Sequence, residues 1–346
     1  MKIIRTFGLL AVLALLLAFP LLFGDPAVTT IAIFTLLFAG ATVAWNIFSG
    51  YTGYISLGSA VFYGVGGYAL ALLCKAWNIQ GGYMPFLLLP LVGLIASAFA
   101  IPLGWIALRS SRHVFVVITI AMFYIFQLLA FNLQGITNGS EGMFLPSPPW
   151  DAAFFNTPFY YVSLIVLLLC FFVSWWVRNS KYGLGLLAIR DDEERALSLG
   201  VKTGAYKLVA FAISAFFIGM IGALVNYFIG SLYPAFAFSP AFDITVALMA
   251  FLGGVGTLVG PLVGALLLAP LQQYLTVQLQ IVGLDLILFG SLLLAVILLL
   301  PEGIVPSLRK TWKRWNASRG VKSPVAGSRE KKEKALLVKG GREGNG

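Results

Sequence analysis

Charge is what this sequence lacks. Asp, Glu, Lys and Arg make up 10% of its 346 residues, against about 25% in a soluble domain, while 60% is hydrophobic and mean hydropathy is +0.93. A water-soluble fold is thereby excluded. Only one histidine is present; with no second imidazole to share a metal or a proton, His113 reads as an interfacial residue beside Arg112. Cys74 and Cys170 both fall in apolar runs and read as packing residues, so neither a disulfide nor a metal site is indicated. No phosphate-binding loop is present: "SRGVKSP" (318–324) resembles one only superficially and no strand precedes it. Carboxylates lie in loops or at the ends of apolar runs, and no Asp, Glu or Lys sits near a run's centre to mark a proton relay. Neither catalytic residues nor a bound metal is expected, so the chain does not read as an enzyme.

What is present is apolar length. A bilayer core requires about 20 apolar residues per helix, and such runs occur at 7–23, 29–48, 58–74, 84–108, 113–133, 159–177 and 206–229. The first follows Lys2 and Arg5 as a signal peptide would, but it is longer than a signal core and "FGDPAV" lacks a small-x-small cleavage pattern, so a retained helix is expected. The stretch 242–300 is cut by "GGVGTLVGP" and "VGLD" into 242–256, 260–279 and 284–300. Lys and Arg cluster at the N-terminus, at Arg109 and Arg112, from Arg178 to Lys207 and in the tail, and are missing from 24–28, 134–158 and 230–241. The positive-inside bias therefore turns those three connections outward, with Lys75 as the exception. The expected fold is all-α, a polytopic transmembrane helical bundle of about ten spans with both termini cytoplasmic. A re-entrant 242–256 would upset that parity, giving a range of 8–10. Residues 1–305 form the membrane domain. The tail, 306–346, carries twelve Lys and Arg against three Glu from Arg309 onward and reads as disordered, suited to anionic lipid rather than nucleic acid. The Pro-, Gly- and Asn-rich loop after Gly135 is either a docking site for a soluble partner or a connector.

Against this background the segment 187–208, "LAIRDDEERALSLGVKTGAYKL", is anomalous in its eight charged side chains. Asp191 with Glu194 three residues on reads as an acidic capping box and Gly200 as a C-terminal stop, predicting a helix over 192–199. So short a helix must lean on something. Ile189, Glu193, Ala196 and Gly200 share one stripe, small at its last two positions. Two readings fit: a docking element for a soluble partner, or a solvated loop whose Arg178, Lys181, Arg190, Lys202 and Lys207 serve the charge bias.

Glycine is the second anomaly. "GYTGYISLGSAVFYGVGGY" holds Gly50, Gly53, Gly58, Gly64, Gly66 and Gly67, each costing about 1 kcal/mol relative to Ala in a soluble helix. In a membrane such residues permit close helix packing, or a broken backbone lining a cavity. On the second reading the helix breaks are Gly50 and Gly58, with Asn46, Ser49, Gly53, Ser56 and Ser59 along a solute path. Gly253, Gly254 and Gly256 form a further break. Gln127 and Asn226 lie inside spans and should face the bundle or a pore.

Four blocks in order, "NIFSGYTGYISLGSAVFYGVGGY" (46–68), "TNGSEGM" (137–143), "LAIRDDEERALSLGVKTGAYKLVAFAISAFFIGMIGAL" and "VALMAFLGGVGTLVGPLVGALLL" (246–268), resemble the branched-chain amino acid ABC transporter permeases often called LivM, over about residues 30–305. The resemblance implies a permease subunit of an importer of branched-chain or related amino acids in the bacterial inner membrane. It implies four further partners: a second, homologous permease, two ATP-binding cassette subunits that carry ATP and Mg, and an extracytoplasmic solute-binding protein. No cofactor is implied in this chain. Glu194, Ala196 and Gly200 fall at the Glu, Ala and Gly positions of the family's coupling element, where Arg195 replaces an Ala. Arg190, Asp191, Glu193, Glu194, Ala196 and Gly200 are thereby candidates for coupling to the ATPase. Ser59 stands where the family commonly has His. A stand-alone secondary transporter is the alternative, although two similar halves and buried midplane charges are not evident; a scaffold or an enzyme without transport is a third reading. Related permeases serve amides and urea, so the solute stays open.

Overall fold

Hydrocarbon offers no partner for an exposed N–H or C=O, so each apolar run must close its own hydrogen bonds as a helix. A computed structural model describes residues 14–152, 154–279, 290–291, 303–308 and 310–311. Its principal helices are α1 (Pro26–Trp45, prolonged by a π-helical turn, Asn46–Gly50), α2 (Ser59–Ala76), α3 (Leu89–Ala107), α4 (Arg112–Asn132), α5 (Asn156–Asn179), α6 (Lys181–Asp191), α7 (Glu193–Ser198), α8 (Thr203–Ile229), α9 (Pro240–Gly253) and α10 (Gly260–Leu279). Among the described residues seven helices are long and apolar enough to cross a membrane, and they fall on the seven expected runs from 29–48 to 242–256. The last extends back to Pro234, so it is longer than its hydropathy suggested: a turn at Pro234–Ala237 and a Ser239 cap with Pro240 behind it start the helix early. Of the run 7–23, residues 14–22 are helical. Nearly all of 284–300 and of the basic tail lies outside the described residues.

The centre of the bundle is α8, which packs on α2, α3 and α1, while α5 and α10 flank α1. Small residues set these approaches. A Cβ at Gly66 would overlap the Gly219 carbonyl, one at Gly222 the Tyr63 carbonyl, and one at Gly219 the Ala96 side chain. Helices without a hydrophobic force between them gain from such close contact. Because the obstacle at Gly66 is backbone, Gly66→Ala will push α2 from α8 at a cost of about 1–3 kcal/mol. Fluorescence-detected size exclusion after a heating series will show the lower midpoint.

Helix direction sorts the connections into two ends. At one end Asn156 Nδ2 donates to Pro26 O (3.0 Å), Tyr227 O–H donates to Gly82 O (2.8 Å), and a two-residue antiparallel bridge pairs Met143 with Leu232 and Phe144 with Ser231. The loop after Gly135 is thus folded onto the end of α8 rather than free. At the other end lie Arg112, Arg178, Arg190 and Lys207, whose side chains reach the 50, 108, 189 and 256 carbonyls. This is the basic end of the molecule.

Candidate functional site

The two glycine-rich breaks, read from the sequence as separate features, meet at the basic end. Asn46 Oδ1 accepts from Gly256 N (2.8 Å) and its Nδ2 donates to Thr257 O (3.0 Å). One buried amide therefore ties the π-helical end of α1 to the α9–α10 turn, 210 residues away. Gly254 and Gly256 hold positive φ (115° and 78°), and a Cβ on Gly256 would overlap Arg190 Nη1. Arg190 Nη1 donates to Gly50 O (2.9 Å) and Arg178 Nη1 to Gly256 O (2.5 Å). Guanidinium donors so satisfy carbonyls that the broken helices leave without partners.

The turn between α1 and α2 is largely buried and is closed by polar groups of α1, of the turn and of α4. Ser49 Oγ accepts from Ser56 N (3.1 Å), Ser56 O accepts from Trp45 Nε1 (2.8 Å), and Thr119 Oγ1 accepts from Leu57 N (3.2 Å). Gly58 precedes α2 with Thr119 O where its Cβ would be. At Ser59 the helix starts inside protein, and its first N–H groups need an acceptor. Asp243 supplies it: Oδ1 accepts from Ser59 N (2.8 Å) and Oδ2 from Ala60 N (3.1 Å), with the residue 1% exposed. A carboxylate there also complements the helix dipole. Sequence reasoning passed over Asp243 because it lies at the start of an apolar run, where an acid ordinarily meets water.

The charged segment departs from expectation in three ways. Residues 181–191 are helical, because Leu186 and Ile189 bury against the membrane body and Ser180 caps Gly183 N (3.1 Å). The cap of the following helix is Asp192, not Asp191: α6 runs through Asp191, the chain turns extended at Asp192, and Asp192 Oδ1 accepts from Arg195 N (3.1 Å). Finally, three of the four stripe positions face inward, since Ile189 and Ala196 are buried and Glu193 reaches a buried lysine, while Gly200 is exposed. Lys207, read from sequence as a topological charge, is 3% exposed. Its Nζ donates to Glu193 Oε1 (2.6 Å), Tyr54 Oη (3.1 Å) and Leu108 O (3.3 Å), while Tyr54 O–H donates to Glu193 Oε2 (2.5 Å). Burial pushes the Glu193 carboxyl up, but its bonds to Lys207 and Tyr54 outweigh that and hold it below the ordinary glutamate value. Burial and the Glu193 bond push the Tyr54 phenol up.

Of the six coupling candidates, then, Arg190, Glu193 and Ala196 face the membrane body, whereas Asp191, Glu194 and Gly200 are exposed. Gly200 takes φ +87° with nothing within 4 Å of a Cβ, as a helix-ending residue should. Beside them Leu197 and Leu199 are 60% and 84% exposed, an apolar pair at the C-terminal end of a helix outside the spans. Among the path candidates Asn46, Ser49, Gly53, Ser56 and Ser59 are brought together around the breaks. Gln127 and Asn226 are not: Gln127 Nε2 donates to Phe238 O (3.3 Å) and Asn226 Nδ2 to its own helix at Gly222 O (2.7 Å).

Residues 27–297 match the family described as branched-chain amino acid transport system / permease component. The chain is 28% identical over 336 residues to the high-affinity branched-chain amino acid transport system permease protein LivM of Escherichia coli K12, covering 90% of this chain and 77% of that protein. It is 28% identical to the LivM of Salmonella typhimurium, over 88% of this chain and 76% of that one. It also matches the LivH permease protein of Salmonella typhimurium, 25% identical over 78% of this chain and 91% of the relative. No solved structure matches the chain. Because the family match spans most of the chain and all seven membrane helices of the described structure, the protein belongs to the branched-chain amino acid transport system permease components.

Proposed function

We propose that this permease subunit moves branched-chain or related amino acids across the bacterial inner membrane, with its basic end in the cytoplasm. Its partners in this reading are a LivH-like second permease, two subunits that bind and hydrolyse ATP with Mg, and an extracytoplasmic solute-binding protein. The chain carries no cofactor of its own. The α6–α7 segment receives the motion of an ATPase subunit. The observation that carries this is the Glu193–Lys207–Tyr54 cluster, which ties α7 at once to α8, the centre of the bundle, and to the turn between α1 and α2. A push on α7 therefore loads both the central helix and the breaks around Asn46. Arg190, Glu193 and Ala196 position the segment; Asp191, Glu194, Arg195, Leu197, Leu199 and Gly200 form the face that meets the partner.

Two exposed leucines on a helix outside the lipid suit a pocket on that partner. Replacing both with Asp (Leu197→Asp, Leu199→Asp) will weaken ATPase co-purification about tenfold while the permease keeps its elution volume. Unchanged co-purification together with unchanged uptake would sink the docking assignment. A stand-alone secondary transporter is separated by a different result: accumulation of labelled amino acid in proteoliposomes without nucleotide hydrolysis.

A further inference from the structure

The basic end holds a cavity of about 560 Å³ whose lining includes Ser49, Gly53, Arg112, Arg190, Ile55 and Phe251. That volume lies in the range of small-molecule sites. Its lining combines two chemistries. Arg112 and Arg190 both lie against Gly53, whose positive φ (75°) lets the backbone pass beneath them. Arg112 Nη2 donates to Ile189 O (2.6 Å) and Arg190 O (3.0 Å), and Arg190 Nη1 to Gly50 O (2.9 Å). Arg112 also lies beside the Tyr54 phenol, and among the described residues neither guanidinium has an ion-pair partner. Each guanidinium has five N–H donors, so donors remain on both, and two positive charges on one partly enclosed wall attract an anion. Ser49 Oγ accepts from Ser56 N, which leaves its own O–H to donate. The rest of the lining, Ile55, Phe251, Val255 and Pro306, is apolar.

We infer that this cavity is an anion subsite for the carboxylate of a small aliphatic acid, held by Arg112, Arg190 and Ser49 with its branched tail on Ile55, Phe251 and Val255. It rests on the permease reading, and names where the transported solute's carboxylate is received at the basic end. Charge-assisted, forked hydrogen bonds from arginine favour a planar carboxylate, and the apolar wall favours a tail over a bare inorganic ion.

The test uses the full-length chain purified with its partners in zwitterionic lipid nanodiscs, without the solute-binding protein. Isothermal titration compares 4-methylpentanoate, L-leucine, leucinol and inorganic phosphate. The first two should bind at least tenfold more tightly than leucinol, which lacks the carboxylate, and than phosphate, which lacks the tail. Because Arg112 and Arg190 also hold backbone, the variant is Ile55→Glu, at a residue 38% exposed. Its carboxylate enters the cavity and should lower affinity for 4-methylpentanoate at least tenfold, and by clearly more than Ile55→Gln, which loses the apolar contact without adding a charge. Equal binding of leucinol or phosphate, or an unaffected Ile55→Glu, overturns the subsite. Uptake by the reconstituted complex is scored separately. Carboxylate-dependent binding without amino-acid uptake supports the subsite and refutes the transport reading; uptake without such binding does the reverse.

Discussion

Replacing Lys207 with methionine will lower ATP-dependent uptake about thirty-fold while leaving the ATPase bound. The ammonium of Lys207 is enclosed by Glu193, Tyr54 and Leu108, and the side chain is 4% exposed against 26% for its partner. Removing one member of a buried pair costs about 3–5 kcal/mol, because the remaining charge is left without compensation. Glu193 is partly open to water, which discounts the figure to about 2–3 kcal/mol; at 1.4 kcal/mol per tenfold the lower bound gives the stated loss. Leu197 and Leu199, the proposed docking residues, are exposed and are not members of the buried cluster, so docking is spared and transmission is what fails. Glu193→Gln combined with Lys207→Met removes both charges and should recover part of the loss, an outcome a simple folding defect would not produce. The pH dependence has a definite sign. Because the folded Glu193 carboxyl lies below its ordinary value, its contribution is fully present above that value and fades as pH falls through the lowered one. Wild-type coupling should therefore hold through mildly acidic conditions and decline only below the usual carboxylate range. Coupling that decays between pH 7 and pH 6 would mean that another group controls it.

Apolar length and the distribution of Lys and Arg were enough to place the seven membrane helices, because both depend on local composition alone. Contacts between distant segments were not legible in the same way. Asn46 was visible as a polar residue beside glycines, but nothing local indicates that both ends of its amide are used by Gly256 and Thr257. Lys207 illustrates the ambiguity of a cation at the start of a span: headgroup water and a buried carboxylate leave the same mark in the sequence. The discriminating signal lay within α7, where Glu193 stands three residues before the small, buried Ala196 and shares its inward face; Ile189 belongs to α6, before the break at Asp192. The shift of the cap from Asp191 to Asp192 has a similar cause. Only Asp191 has a Glu three residues on, which favoured it in the sequence, but either acid can cap a helix, and the choice fell to tertiary burial of Leu186 and Ile189, which carries α6 one residue further.

Asp243→Leu should be the most damaging single change to stability, and the reason is the place where α2 begins. A helix N-terminus in water loses about 0.5–2 kcal/mol when a cap is removed, since solvent takes over the freed donors. The α2 N-terminus has no such recourse: Gly58 is pressed on the Thr119 carbonyl, Ser59 is buried, and both first amides depend on the Asp243 carboxylate. Leaving two buried N–H groups without acceptors costs about 1–3 kcal/mol each, hence about 2–6 kcal/mol together, a large fraction of a typical protein's net stability. Asp243→Asn keeps one acceptor oxygen but turns an NH₂ toward the second amide, so an intermediate loss is expected. Asp243→Glu keeps both oxygens but carries one more methylene into a filled site and should cost about 1–3 kcal/mol. The order wild type, then Asn and Glu, then Leu can be read from thermal midpoints of the purified complex in detergent. If Leu were tolerated as well as Asn, the carboxylate would not be holding the helix start, and the break between α1 and α2 would have to be stabilised by packing of its glycines alone.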